Sequence, residues 1–307
     1  MFKYTLDNKR YYTLNYYYKT KYNSKVFKVS LNANFGCPNK KNGGGCIYCL
    51  NGSGENRGMD LIEQFIKVRD IMSKKWPDSK YIGYFQADTN TYAPLDILKD
   101  NYEKILKLDN VIGLNIATRC DCLPNDVLDY LEELNKRTNL TIELGLQTIH
   151  ETTSKLINRG HTLKQFENAV LELRKRNIDV VVHVINGLPY ETKEMMLETA
   201  EFLNTLDIQG VKIHMLHILK NTKLAKMYES EKFHVLTKEE YIDIVCDQLE
   251  ILDPNIVINR ITGDPKVDDL VEPTWLIKKF TVLNDIDKEL RRRDSYQGIK
   301  KIQDIGS

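Results

Sequence analysis

The sequence contains no apolar run of the roughly 20 residues needed to span a bilayer, which argues against a transmembrane helix. Its first residues, Met1-Phe2-Lys3-Tyr4-Thr5-Leu6-Asp7, lack the apolar stretch of a secretory signal. Six cysteines in 307 residues do not make a disulfide scaffold. No internal repeat or low-complexity tract stands out beyond a tyrosine-rich start. These absences lead us to expect a soluble cytoplasmic protein with no membrane partner. What is present is enough apolar residue, 42%, for a substantial core. The length suits one α/β barrel-like domain with appendages, or two ordinary domains.

Net charge is only +1, but it is spread unevenly. Residues 1–28 carry Lys3, Lys9, Arg10, Lys19, Lys21, Lys25 and Lys28 against Asp7 alone, interleaved with Tyr4, Tyr11, Tyr12, Tyr16, Tyr17, Tyr18 and Tyr22. Cations neutralise phosphates and aromatic faces stack on unpaired bases, so this stretch reads as an RNA contact. It reads equally as a solvated arm whose tyrosines pack on the barrel. A second basic cluster, Arg291-Arg292-Arg293 with Lys300 and Lys301, reads better as a solvated helix end.

Cys37, Cys46 and Cys49 share one glycine-rich loop with the spacing C-x8-C-x2-C. Thiolates this close suit a soft metal centre: an iron–sulfur cluster, zinc or copper(I). A cubane cluster usually takes four thiolates, so three leave one iron open for chemistry. A structural zinc site of three cysteines and one histidine is the alternative. Gly43, Gly44 and Gly45 are expected to take positive φ and bend the loop.

Strand-like runs at 26–32, 80–87, 111–118, 140–147, 178–186 and 209–216 alternate with helical runs at 58–75, 95–107, 124–137, 152–177 and 191–206. Val180-Val181-Val182-His183-Val184-Ile185 is apolar on both faces, as parallel strands covered by helices are. Strict β-α alternation implies a parallel sheet with right-handed crossovers, here a (βα)6 partial barrel of the α/β class. Residues 237–253 read as a further helix, and 256–261 as a candidate strand. The expected divisions are an arm at 1–24, a barrel core at 25–220 and an extension at 221–307 that packs on the barrel. Barrel chemistry sits at strand C-termini. Polar residues gather there at Gln86–Thr91, Thr118–Cys122, Glu143–Gln147, His183–Asn186 and Lys212–His217.

The cysteine loop after a first strand resembles the radical S-adenosylmethionine (SAM) superfamily, where the usual first gap is shorter. The further segments Gln86 with Thr89-Asn90-Thr91, Thr118-Arg119, Glu143-Leu144-Gly145-Leu146-Gln147, Gly187-Leu188-Pro189 and Arg260-Ile261-Thr262-Gly263-Asp264 resemble its Elongator-like branch, the YtqA/YhcC group. The likeness runs from about Lys25 to Gly298 and is closest to the YtqA-type (MnmL) subgroup. One departure is Cys120, which stands where relatives carry proline in Thr-Arg-Pro-Asp and puts an extra thiol at the mouth. The resemblance implies a partial TIM barrel of radical SAM type with N- and C-terminal extensions. It also implies a [4Fe–4S] cluster on Cys37, Cys46 and Cys49, with SAM on the open iron. No acetyltransferase domain is expected, since the sequence leaves no room for one after residue 300.

By position, Tyr48 is expected by the adenine and Gln86 and Asn90 by the SAM amino group, since amides fix a zwitterion without adding charge. Arg119 would pair with the SAM carboxylate. Glu143 and Gln147 would hold the ribose or methionyl end, with a buried Glu143 paired to a basic neighbour as the alternative, and Arg159 and His161 would contact cofactor or substrate. Lys212, His214, His217 and Arg260 are candidates for the substrate side. Cys122 and Cys246 read as structural thiols. The subgroup is linked to converting 5-carboxymethylaminomethyluridine to 5-aminomethyluridine at the tRNA wobble position. The resemblance therefore implies a tRNA anticodon loop as substrate and a flavodoxin or ferredoxin as electron donor. Alternatives are another tRNA position, a small-molecule substrate, or a non-catalytic RNA-binding protein with a structural metal site.

Overall fold

A computed structural model describes residues 2, 5, 9–50 and 56–301. Lys3, Tyr4 and Asp7 of the expected arm lie outside the described residues. Helix α1 (Leu14–Tyr22) precedes β1 (Val26–Leu31) and the short α2 (Pro38–Gly43). There follow α3 (Leu61–Lys75), β2 (Lys80–Phe85), α4 (Leu95–Leu106), β3 (Val111–Thr118), α5 (Asn125–Arg137) and β4 (Asn139–Gln147). Next come α6 (Glu151–Leu156), α7 (Leu163–Lys175), β5 (Asp179–Asn186), α8 (Lys193–Leu203) and β6 (Gly210–Met215). The last stretch holds β7 (Ile218–Leu219), α9 (Lys223–Glu231), α10 (Lys238–Ile251), β8 (Val257–Arg260), β9 (Leu270–Glu272) and α11 (Lys279–Arg292).

The main sheet is parallel, in the order β1-β2-β3-β4-β5-β6-β8. Six βα units therefore stand as expected, and the candidate strand at 256–261 becomes a seventh that joins beside β6. Strands β1 and β8 are the two edges, so the barrel is open on one side. Leu114, Ile116, Ile142, Leu144, Val180 and Val182 are fully buried, which explains why these strands read as apolar runs.

The single helix expected at 152–177 is two. Asn158 and Gly160 take positive φ, 53° and 79°, and end α6. A capping box between Thr162 and Gln165 then starts α7. The turn between them reaches back to the cysteine loop.

The arm does not project toward the cysteine end. The Ile258 amide donates to the Tyr12 carbonyl at 2.7 Å, and Thr13 pairs with Ile258 as a parallel bridge. Arg10 pairs with Asp294 at 3.0 Å, Lys9 pairs with Asp287, and the Tyr12 amide donates to Gln297 at 2.8 Å. Tyr18 is buried against Val26 and Ile82, so α1 lies across the N-terminal ends of the strands. There it helps close a polar cavity of about 210 Å³. Of the two readings of this stretch, packing on the barrel is the one these contacts support for Tyr11 and Tyr18, on the face opposite the barrel mouth. The basic cluster near the end is also internal in part. Arg293 bonds Asp247 at 2.7 Å, Glu289 at 2.8 Å and Glu250 at 3.3 Å, tying α11 to α10. No described helix is long and apolar enough to cross a membrane.

Removing the Tyr18 ring is expected to cost roughly 3 kcal/mol, as large-to-small core changes do. Tyr18→Ala should lower the urea midpoint of the RNA-free protein. An unchanged midpoint would mean that α1 is undocked in solution.

Candidate active site

The eight residues between Cys37 and Cys46 are not a floppy insertion. Cys37 caps α2, whose six residues take up most of the gap. Gly44 and Gly45 then turn the chain back with φ of 73° and 75°, whereas Gly43 stays helical, a correction to the expected glycine triplet. The turn after α6 braces the loop from behind. Asn158 Nδ2 donates to the carbonyls of Gly43 and Gly45, both at 2.8 Å. Asn39 Nδ2 returns a bond to the Asn158 carbonyl at 2.7 Å and approaches Cys46 Sγ at 3.6 Å. Gly160 has to be glycine: a Cβ there would lie 2.8 Å from Asn39 Oδ1, on top of its positive φ.

The three thiols are free and half-buried, and they line a cavity of about 290 Å³. Hydrogen bonding from Cys49 lowers the Cys46 thiol to about 6. The same cavity is lined by Tyr48, Gln86, Arg119, Glu143, Gln147, Arg159, His161, Lys212, His214 and Arg260, so the fold gathers most of the expected positions. A second space of about 590 Å³ shares Tyr84, Gln86, Asp88, Lys212 and Arg260 with it and leads out between β1 and β8.

At the cavity floor sits Glu143, fully buried. Lys28 Nζ donates to it at 3.0 Å, Tyr84 OH at 2.8 Å and Asn115 Nδ2 at 2.9 Å. His183 Nε2 lies 2.8 Å away, and Lys212 is also in direct contact. Burial would raise the Glu143 pKa, but Lys212, Lys28 and His183 outweigh it and hold the carboxyl well below its usual range. Burial in turn lowers the Lys212 amine to about 8 against the pull of Glu143. Burial, with His183 and Arg260 nearby, pushes His214 well below its usual value and keeps it neutral.

Several expected roles need correction. Glu143 has five partners around its carboxylate, so it anchors the floor rather than holding the ribose. Asn90 is buried outside the cavity lining and spends its amide on the carbonyls of Phe85 and Ala117, at 3.0 and 2.9 Å. Arg119 already grips Asp121 in bidentate fashion at 2.9 and 2.7 Å and the Arg159 carbonyl at 2.8 Å, so pairing with a cofactor carboxylate would have to displace Asp121. Arg159 donates to the carbonyls of Leu146 and Thr148 at 2.7 and 2.6 Å. His217 packs on Gly263, where a Cβ would lie 1.9 Å from its Nε2, and does not line the cavity. Cys120 faces the core rather than the mouth, and Cys246 is buried as expected. Lys28, Tyr84 and His183 were missed. Their signal was strand parity: with Glu143 and Lys212 they point to one face of the sheet.

Gln147 keeps its place on the cavity wall with a strained φ of 67°, where the β4–β5 register shifts. Strain of this kind gathers at functional sites.

The Radical SAM superfamily model matches residues 31–203, and the Radical_SAM C-terminal domain model matches 208–292. The chain belongs to the radical SAM superfamily, whose members use a [4Fe–4S] cluster and SAM. Within it the chain falls in the YtqA/YhcC group. It is 50% identical over 304 residues to YtqA of Bacillus subtilis (strain 168), covering 97% of this chain and 94% of that protein. YhcC of Escherichia coli (strain K12) is 31% identical, covering 88% of this chain and 89% of its own length. The solved archaeal Methanocaldococcus infernus Elp3, lacking its N-terminus, superposes with a TM-score of 0.69 at 17% identity, over 89% of this chain and 64% of that one. That likeness establishes a shared fold.

The residues present fit these cofactors. Three free thiols at one cavity end suit a cubane with an open iron. Among the described residues His214 Nε2 is buried without a hydrogen-bond partner and Arg159 Nη2 has only an ion pair with Glu151 at 3.6 Å, and both residues line the cavity.

Glu143→Gln should destabilise the protein by about 3–5 kcal/mol at neutral pH, because it leaves buried ammonium groups unpaired. The folded pKa of Glu143 is depressed, so its contribution is present above the ordinary value of 4.5 and is lost as pH falls toward the folded value. Urea midpoints measured from neutral to acid pH should fall steeply for the parent protein and less steeply for the variant.

Proposed function

We propose that this chain modifies the wobble uridine of tRNA, removing the carboxymethyl group of 5-carboxymethylaminomethyluridine to leave 5-aminomethyluridine. The observation that carries this reading is the charge of the inner cavity. Glu143 faces both Lys28 and Lys212, and Arg260 stands beside them in register with Lys212. Arg260 itself has only a loose pair, with Asp264 at 3.8 Å. A positive excess in a partly desolvated cavity favours an anionic ligand, because charge interactions strengthen as water is excluded. The subgroup resemblance supplies the carboxymethyl group as that anion.

Cys37, Cys46 and Cys49 would hold the cluster, with Tyr48, Gln86, Gln147, Arg159 and His161 around the SAM side. When bound, these cofactors supply one-electron chemistry that can take a hydrogen atom from carbon. Arg260 binds and orients the substrate carboxylate, for which its planar fork is suited. Its place on the edge strand β8 lets substrate enter from the open side. Neutral His214 offers an unpartnered nitrogen to the substrate amine. Lys212, with an amine near 8, takes or gives a proton close to neutral pH. The reacting carbon is the methylene between amine and carboxylate, since both neighbours stabilise a radical. Loss of that hydrogen atom, of one further electron to a one-electron acceptor and of the amine proton to Lys212 would give an imine, which water splits into glyoxylate and the aminomethyl base; a reductive C–N cleavage is the alternative. The wobble base lies in a single-stranded loop, so presenting it costs little unpairing.

Nucleoside mass spectrometry on tRNA carrying the carboxymethylaminomethyl base, after anaerobic incubation with reconstituted protein, SAM and reductant, tests the reaction. Conversion should depend on all three cysteines, and intact nucleoside beside ongoing SAM cleavage would refute the substrate assignment. Arg260→Ala should lower conversion about tenfold or more, the scale of one charge-assisted bond, while leaving the cluster loaded. With a deuterated methylene, deuterium should appear in 5′-deoxyadenosine; unlabelled product would rule out abstraction at that carbon.

A further inference from the structure

We propose that the outer face of the cysteine loop is the docking surface for an acidic one-electron carrier protein. The proposal rests on the superfamily's cofactors and not on the tRNA reading. Three elements meet behind the loop. The Ile47 amide donates to the Ile157 carbonyl, just after α6, at 3.0 Å, and the Leu224 amide of α9 donates to the Ile47 carbonyl at 2.9 Å. Helix α2 lies within the loop itself. Each element presents exposed lysine: Lys41 on α2, Lys155 on α6, and Lys223 and Lys226 on α9.

Among the described residues no carboxylate lies within ion-pair distance of these four, in contrast to neighbouring Lys40, paired with Asp88 at 2.7 Å. The Lys223 ammonium rests over the exposed Gly44 turn, where a Cβ would lie 2.7 Å from its Nζ. Helix α9 has no acidic residue in its first turn and instead begins with Lys223 and, one turn on, Lys226. Cations at that positive helix end are disfavoured. An acidic partner offsets this, and no ion pair among the described residues does.

The site needs such a partner. One electron must leave a carrier and enter the [4Fe–4S] centre, with no bond made or broken, and loop residues 41–44, between Cys37 and Cys46, are exposed on this face. RNA fits the face less well. None of the four lysines lines the side opening that carries Lys28, Arg260 and Lys266.

The test compares the parent protein with the combined Lys41→Glu, Lys223→Glu and Lys226→Glu variant. Cluster bleaching is followed after mixing with reduced flavodoxin or with dithionite, and binding of unreconstituted protein to flavodoxin is measured at low and high ionic strength. Reversing the charge should lower both flavodoxin affinity and flavodoxin-driven reduction by about tenfold or more, the scale of electrostatic steering. Iron content and dithionite-driven reduction should be unchanged, and the parent's advantage should fade with salt. Unchanged flavodoxin kinetics, or an equal loss with dithionite, would overturn the proposal. So would a loss of tRNA affinity with flavodoxin binding intact, which would assign the face to RNA. No tRNA enters the reduction assay, so failure of the substrate reading leaves this result standing.

Discussion

The buried carboxylate of Glu143 is the constraint around which this barrel is organised. Its partners come from every one of the other five strands of the βα core: Lys28 on β1, Tyr84 on β2, Asn115 on β3, His183 on β5 and Lys212 on β6. A closed barrel fills its centre with layers of apolar side chains. This open one places a polar ring there instead, and the ring sets the distance and facing of six strands at once. Leaving any member unpaired in that environment is costly, so the arrangement specifies one curvature of the sheet. It also sets two ammonium groups, Lys28 and Lys212, against one carboxylate at the cavity floor.

The cysteine loop depends on this frame indirectly. Its own helical turn and two positive-φ glycines give it a shape, but Asn158, from the turn that splits α6 from α7, fixes where that shape sits. Cluster geometry and the end of β4 are thus coupled through a reciprocal pair of asparagines, Asn39 and Asn158. Arg159, bonded to carbonyls at the end of β4, holds the other side of the same turn.

Much of this was legible in the sequence. The βα rhythm showed because strands buried on both faces must be apolar throughout, and the cysteine spacing showed because soft-metal ligation needs thiols close in the chain. The helix break at Asn158-Arg159-Gly160 was readable as a glycine inside a helical pattern but was outweighed by the flanking periodicity. The arm was ambiguous for a physical reason: a tyrosine that stacks on a base and one that packs on strand ends have the same local sequence. Glu143, Asn90 and Arg119 sit where cofactor ligands were expected. The partners of Glu143, however, are all distant in sequence, and only the folded sheet shows that its carboxylate is already engaged.

The strap at the far end of the barrel bears on how the chain folds. Tyr12 and Gln297, 285 positions apart, are joined by a direct hydrogen bond, and β8 is bridged by Thr13. Contacts of such separation form late, because loop closure is entropically costly before they can repay it. During synthesis the first segment has no docking site until β8 and the last helix emerge. The strands of the core can pair sequentially before then, but their N-terminal ends stay uncovered until β8 has been made.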